Sequence, residues 1–144
     1  MGEYDALKLE NQLCFPLYAC SREVIKKYKP HLDRLDLTYT QYITLMVVWE
    51  KRNITVKALG DALYLDSGTL TPLLKKLEAK GLVSRIRSTE DERNLIISVT
   101  PKGEALKKEA LNIPGEMAKL VNLDQDEIEA LYKLLNKLLQ QDEK

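Results

Sequence analysis

Cys14 and Cys20 are the only two cysteines in the 144-residue chain. A thiol that senses or reacts needs thiolate character and access to solvent. No Lys, Arg or His flanks Cys14 in Asn11-Gln-Leu-Cys-Phe-Pro-Leu-Tyr18. Activation must then come from hydroxyl donors, tyrosines among them, or from a helix terminus. Cys20 is a poor partner for it. On a helix the two sit about 9 Å apart along the axis and on different faces, whereas a disulfide needs Cα atoms within about 7 Å. Cys20 is therefore expected as a small buried apolar residue.

Most zinc sites are excluded by number. Two cysteines and the one histidine, His31, fall short of a four-ligand site. His31 lies in Lys-Pro-His-Leu and is expected at a surface or turn. Neither GxGxxG nor GxxxxGK[ST] occurs, so the nucleotide-binding fingerprints are absent. Neither a metal nor a cofactor is expected, and the chain does not read as an enzyme.

A second group of residues suits DNA. From Ser67 to Thr89 the basic residues are Lys75, Lys76, Lys80, Arg85 and Arg87, and the only acid is Glu78, a local charge of +4. The whole chain has 22 basic and 22 acidic residues, which excludes a purely electrostatic partner of nucleic acid. One basic face balanced by acid elsewhere suits a protein that approaches phosphates from one side. Ser67, Gly68, Thr69 and Thr71 are small, and three of them polar, which suits a helix entering the major groove by its N-terminus. That terminus would also offer N–H groups to phosphate. Arg93 stands in a charged hairpin tip, where it would enter the minor groove, with Asp91 holding it or the loop.

The elements that must position these residues are mostly helical. Leu13, Leu17, Cys20, Val24 and Tyr28 form one stripe, predicting a first helix from about 7 to 28, ending before Pro30, with Pro16 causing a kink or a helix restart beside Cys14. Thr38 caps a second helix with Tyr42, Leu45, Met46 and Trp49 inward. A short third helix follows Thr55, with Val56, Leu59 and Leu63 apolar. Asp66 or Ser67 caps a fourth, with Leu70, Leu73, Leu74 and Leu77 inward and Gly81 as its stop. Val83–Arg87 and Leu95–Val99 change to period two and read as a hairpin. Thr100-Pro101 opens a fifth helix, expected to bend or break at Pro114-Gly115. Asp124 with Glu127 is a capping box opening the last helix, whose apolar positions are Ile128, Leu131, Leu135, Leu138 and Leu139.

This order is mainly α with a small β-hairpin wing, a winged helix-turn-helix. The expected organisation is a DNA-binding lobe at 38–100, flanked by helical regions at 1–37 and 101–144. At 44% hydrophobic and 31% charged, the chain has the balance of a globular protein and room for one core. The flanking stripes lack a partner in so small a lobe, and a second copy is the simplest supplier. No signal peptide or bilayer-length apolar run is evident, so a cytoplasmic protein with reduced thiols is expected.

The segment Asp66-Ser-Gly-Thr-Leu-Thr-Pro-Leu-Leu-Lys-Lys-Leu-Glu, with Gly81-Leu-Val and Asp91-Glu-Arg93, resembles the MarR family of winged helix-turn-helix repressors. Gln12-Leu-Cys-Phe15, with Tyr28 and Leu37-Thr-Tyr39, resembles its OhrR subgroup, which senses organic hydroperoxides. The likeness spans essentially the whole chain. It implies a homodimer built from first and last helices, bound to a pseudo-palindromic double-stranded operator. It also implies that Cys14 is the reactive cysteine and that Tyr28 and Tyr39 hydrogen-bond to it across the dimer. With no cysteine after Cys20, the chain resembles the one-cysteine branch, which reacts on with a small thiol. Spacing is consistent with this. Along one helix, fourteen residues separate Tyr28 from Cys14 by about 21 Å, so a contact requires the other subunit.

The function expected is a repressor released when organic hydroperoxide oxidises Cys14. Two alternatives stay close: a repressor of the same fold released by a phenolic ligand, and a broader thiol-based redox or virulence regulator. A thiol peroxidase would need a resolving cysteine or a base beside Cys14. A helical adaptor would have no need of the basic helix and wing.

Overall fold

The computed structural model describes residues 2–87 and 95–140. Two single 3-10 turns, Asp5–Leu7 and Leu9–Asn11, precede α1 (Cys14–Asp33). Then follow α2 (Tyr39–Lys51), β1 (Asn53–Thr55), α3 (Val56–Leu63), α4 (Ser67–Ala79), β2 (Val83–Arg87), β3 (Leu95–Val99) and α5 (Pro101–Ala110). The chain ends with α6 (Ile113–Ala118) and α7 (Gln125–Gln140). It divides into two compact units, Met1–Asn112 and Ile113–Lys144.

Of the two proline expectations for the first helix, the one at Pro16 is met in its restart form and the one at Pro30 is corrected. Pro16 is the third residue of α1, in the first turn. There a missing N–H costs nothing, because first-turn amides have no intrahelical acceptor. Of the kink and the restart expected beside Cys14, the structure has the restart, and α1 begins at Cys14 and not near residue 7. It also runs through Pro30 to Asp33, so Pro30 removes one hydrogen bond near the end without stopping the helix.

The caps form where local chemistry calls for them. Thr38 and Gln41 make a reciprocal capping box on α2. The Asp66 carboxylate accepts the Thr69 N–H at 2.8 Å at the start of α4. Thr100 caps α5 with Pro101 at its head. Gly81, at φ +76°, ends α4 in a Schellman turn. Leu82 N–H bonds to Leu77 C=O at 3.0 Å, and Gly81 N–H to Glu78 C=O at 2.9 Å.

In the first unit the core gathers Tyr42, Leu45, Val48 and Trp49 of α2, Leu59 of α3, and Leu70, Leu73, Leu74 and Leu77 of α4. Each fully buried leucine contributes about 1.5–3 kcal/mol of transfer free energy. Met46, expected inward, is exposed, and Val48 and Thr44 fill the inner face with Leu45. Behind them lies an antiparallel sheet of order β1-β3-β2, with Val83 opposite Val99 and Asn53 opposite Ser98. The hairpin strands fall where the sequence puts them, and β1 is an addition. Trp49 Nε1 donates to the Gly103 carbonyl at 2.9 Å, fastening α2 to α5.

The fifth helix breaks earlier than expected. It ends at Ala110, and Pro114 and Gly115 lie inside α6. In the second unit, Asp124 and Glu127 exchange hydrogen bonds of 3.0 and 2.9 Å at the head of α7. No residue of α7 is buried, and its apolar stripe, including Ile128, Leu131 and Leu138, is exposed. Among the described residues, no helix is long and apolar enough to cross a membrane.

Candidate thiol site and nucleic-acid interface

Cys14 is the first residue of α1 and is exposed. Its side chain therefore stands at a helix N-terminus, where amides lack intrahelical partners. No acidic residue occupies the first turn. Cys20 is also exposed, which corrects the expectation that it is buried. Both cysteines lie on the unbroken α1, so about 9 Å of axial rise keeps them apart.

The tyrosines assemble away from the thiol. Tyr28 of α1 meets Tyr39, the first residue of α2, with ring centroids 4.9 Å apart. Tyr42 completes the cluster, 5.9 Å from Tyr28 and 6.4 Å from Tyr39. The sequence marks Tyr42 as core alone, although its position one turn after Tyr39 signals the cluster. Burial pushes all three hydroxyl pKa values up, and for Tyr28 and Tyr42 the neighbouring tyrosines push further. The phenols therefore stay protonated, as donors, throughout the neutral range.

The DNA-facing candidates share one side of α4. Leu70, Leu73, Leu74 and Leu77 are buried, while Ser67, Gly68, Thr69, Thr71, Lys75 and Lys76 are all exposed. Leucine burial thus fixes which face is presented. One of the expected phosphate donors, the Thr69 N–H, is already used by Asp66. That hydrogen bond, from the Thr69 amide, holds the Asp66 carboxyl below the usual carboxylate range.

The basic stretch divides into two groups. Lys80 turns back to the α1–α2 turn, where its ammonium meets the Asp36 carbonyl and Gln41 Oε1. Arg85 lies against α4, its Nε and Nη2 each 3.0 Å from Glu78 Oε1. It braces the wing strand on the helix. Lys75 and Lys76 on α4 and Arg87 at the end of β2 are exposed. Asp91 and Arg93 lie outside the described residues.

A family model described as transcriptional regulator SarA/Rot matches residues 26–110. The chain belongs to that family. Its winged helix-turn-helix is of the MarR type. The organic hydroperoxide resistance transcriptional regulator of Bacillus subtilis is 51% identical, over 96% of this chain and 97% of that protein. The HTH-type transcriptional regulator SarZ of Staphylococcus saprophyticus is 47% identical, over 92% and 94%. AbfR of Staphylococcus epidermidis, reduced and bound to DNA, superposes with a TM-score of 0.80 at 34% identity, over 97% of this chain and 98% of that one. Its disulfide-formed structure, at the same 34% identity, gives 0.61 over 96% and 92%. These are transcriptional regulators, not enzymes.

Proposed function

We propose that this regulator is a DNA-binding repressor whose hold on its operator is released when an organic hydroperoxide oxidises Cys14. The observation that carries the reading is the separation of Cys14 from the tyrosines. Cys14 and Tyr28 stand at two ends of one unbroken stretch of α1, about 21 Å apart along its axis. The phenols of Tyr28 and Tyr39 reach the thiol only from a second subunit, so a sensor built on them is a property of the dimer. The exposed apolar residues Leu13, Phe15 and Leu17, and those along α7, supply the surface for it. The dimerising regions are then 1–37 and 101–144, and the DNA-binding lobe is 38–100.

In this mechanism two α4 helices enter successive major grooves of a pseudo-palindromic operator. Ser67, Gly68, Thr69 and Thr71 face base edges; Lys75, Lys76 and Arg87 meet phosphates; Arg85 supports the wing. Arg93 enters the minor groove, with Asp91 holding it or the loop. The Cys14 thiolate attacks the peroxide, breaking the O–O bond to give a sulfenic acid and an alcohol. A small thiol then condenses with the sulfenic acid, forming a mixed disulfide and releasing water. The added bulk displaces the partner's tyrosines, and the two α4 helices lose their spacing. Function in the cytoplasm, where thiols are held reduced, follows from the same chemistry.

The test is fluorescence anisotropy on the DNA upstream of the protein's own gene. Reduced protein should bind, peroxide plus a small thiol should release it, and reductant should restore binding. Cys14→Ser should bind and ignore peroxide; release of that variant by peroxide would overturn the assignment.

A second reading is favoured by one cavity of about 610 Å³, lined by Leu35, Leu82, Lys102 and Leu106. This is the size of a small-molecule site. A phenolic ligand that released Cys14→Ser from DNA would establish that reading instead.

A further inference from the structure

Lys80 is the C-cap residue of α4, and its half-buried side chain leaves the DNA-facing side altogether. The ammonium donates to the Asp36 carbonyl and, at 3.0 Å, to Gln41 Oε1. The Asp36 carboxylate stands 3.8 Å away and faces solvent. Asp36 holds a left-handed φ of +56° in the turn that ends α1. Gln41 is buried, and the same Oε1 accepts the Thr38 N–H at 3.0 Å in the capping box of α2. One ammonium therefore joins the end of α1, the start of α2 and the end of α4.

The other partners of this junction fasten it from behind. Lys102 Nζ donates to the Lys80 carbonyl at 2.8 Å, and Thr100 Oγ1 to the Gly81 carbonyl at 2.6 Å. The end of α4 is thus tied to α5 through its backbone and to α1 and α2 through the Lys80 side chain. Tyr39 lies between the two capping-box residues, Thr38 and Gln41, and its ring packs on Tyr28 of α1. The cap on which Tyr39 sits shares an oxygen with Lys80.

We propose that Lys80 is the positioning residue that couples the Tyr28–Tyr39 cluster to α4, so that displacement of the tyrosines is passed through the Gln41 capping box to the recognition helix. This rests on the oxidation-released repressor proposed above and specifies how its signal reaches DNA. A buried amide oxygen stripped of a charged donor holds its place weakly. Without the ammonium, α2 shifts while α4 stays with α5. Lys80 acts through Gln41 and Asp36 and touches neither thiol nor DNA.

The experiment compares wild type, Lys80→Met and Gln41→Glu as full-length dimers. Operator affinity is measured by anisotropy, reduced and after peroxide plus a small thiol, and Cys14 sulfenic acid is trapped to confirm equal oxidation. Coupling of this kind is typically about 5–150-fold, and wild type should lose affinity on that scale. Reduced Lys80→Met should bind within about threefold of wild type, become oxidised at the same rate, and lose less than about threefold on oxidation. Gln41→Glu keeps the capping box, gives Lys80 a charged acceptor, and should lose at least as much affinity as wild type. Equal release in Lys80→Met and wild type would overturn the relay alone. So would failure of folded, reduced Lys80→Met to bind, or a Gln41→Glu response like that of Lys80→Met. Should Lys80→Met not fold, Lys80→Gln takes its place under the same criteria. A wild type that stays on DNA when oxidised would overturn both the sensor and its relay.

Discussion

Tyr28 and Tyr39 come from different helices, yet their rings pack with centroids 4.9 Å apart and planes tilted by 55°. The pairing fixes where α1 crosses the start of α2. It also holds two phenols together at a point far from the same chain's Cys14, because α1 continues unbroken between them. In the sensor proposed above, these two phenols can meet that thiol only from a second copy.

Mixed dimers test that geometry. One subunit keeps Cys14 and the other carries Cys14→Ser. Tyr28→Phe on the subunit with the serine substitution removes the donor facing the thiol. A hydrogen bond to a charged group is worth about 1.5–3 kcal/mol. Sulfenic acid formation should therefore slow roughly tenfold or more. Tyr28→Phe on the subunit that keeps Cys14 should leave the rate unchanged. Trapping kinetics on the purified heterodimers read both rates, and equal effects of the two placements would remove the cross-subunit contact.

Alkaline titration probes the cluster directly. Burial raises the hydroxyl pKa values of Tyr28, Tyr39 and Tyr42, with added repulsion between neighbours at Tyr28 and Tyr42. Unfolded tyrosines ionise near about 10. A folded value above the unfolded one leaves stability intact below that pH. Stability is lost as pH rises through the folded values, because the unfolded chain gives up its protons first. Tyrosinate absorbance should show late-ionising steps that vanish in Tyr28→Phe/Tyr39→Phe. Loss of the earliest steps instead would contradict a buried cluster.

Gly103 carries a purely steric prediction. A Cβ built there meets the Leu82 carbonyl oxygen at 2.2 Å and its carbon at 3.1 Å. Both belong to backbone that ends the Schellman turn of α4, so neither yields readily. The Gly103 carbonyl also accepts the Trp49 indole N–H. Gly103→Ala should destabilise the fold by about 3 kcal/mol or more. Urea unfolding at fixed protein concentration measures it, and a cost below about 1 kcal/mol would mean that the α4–β2 turn is far more plastic than its hydrogen bonds imply.

Where the sequence could be read, the signal was local. Thr38, Asp66, Thr100 and Asp124 cap their helices because a short side chain meets an amide two or three residues on. Leu70, Leu73, Leu74 and Leu77 mark the buried face of α4 by spacing alone. Pro16 was legible as a restart, because a proline is harmless in a first turn; Pro30 misled because periodicity does not show that a helix continues past a proline near its end. Strand β1 escaped notice because three residues become a strand only when β3 lies beside them. The fates of Lys80 and Arg85 depend on partners distant in sequence or across a turn, so net charge alone overstated the basic surface. Cys14 was legible as a thiol, whereas the tyrosine cluster required the crossing of α1 on α2.

That division of the basic residues predicts two different losses of DNA binding. Lys75 and Lys76 are exposed on the open face of α4. Each phosphate contact contributes about 0.9 to the slope of log affinity against log salt. Lys75→Ala or Lys76→Ala should weaken specific and non-specific binding alike and flatten that slope by about one contact per subunit. Arg85 instead spans to Glu78 with two nitrogens at 3.0 Å, and the pair is partly exposed, worth about 1 kcal/mol or less to stability. Arg85→Ala should lower operator affinity by loosening the wing while leaving the salt slope as it is. Anisotropy across a salt series separates the two cases. A slope that falls with Arg85→Ala would return that arginine to the phosphate-contacting set, and an unchanged slope in both lysine variants would move the phosphate contacts away from this part of α4.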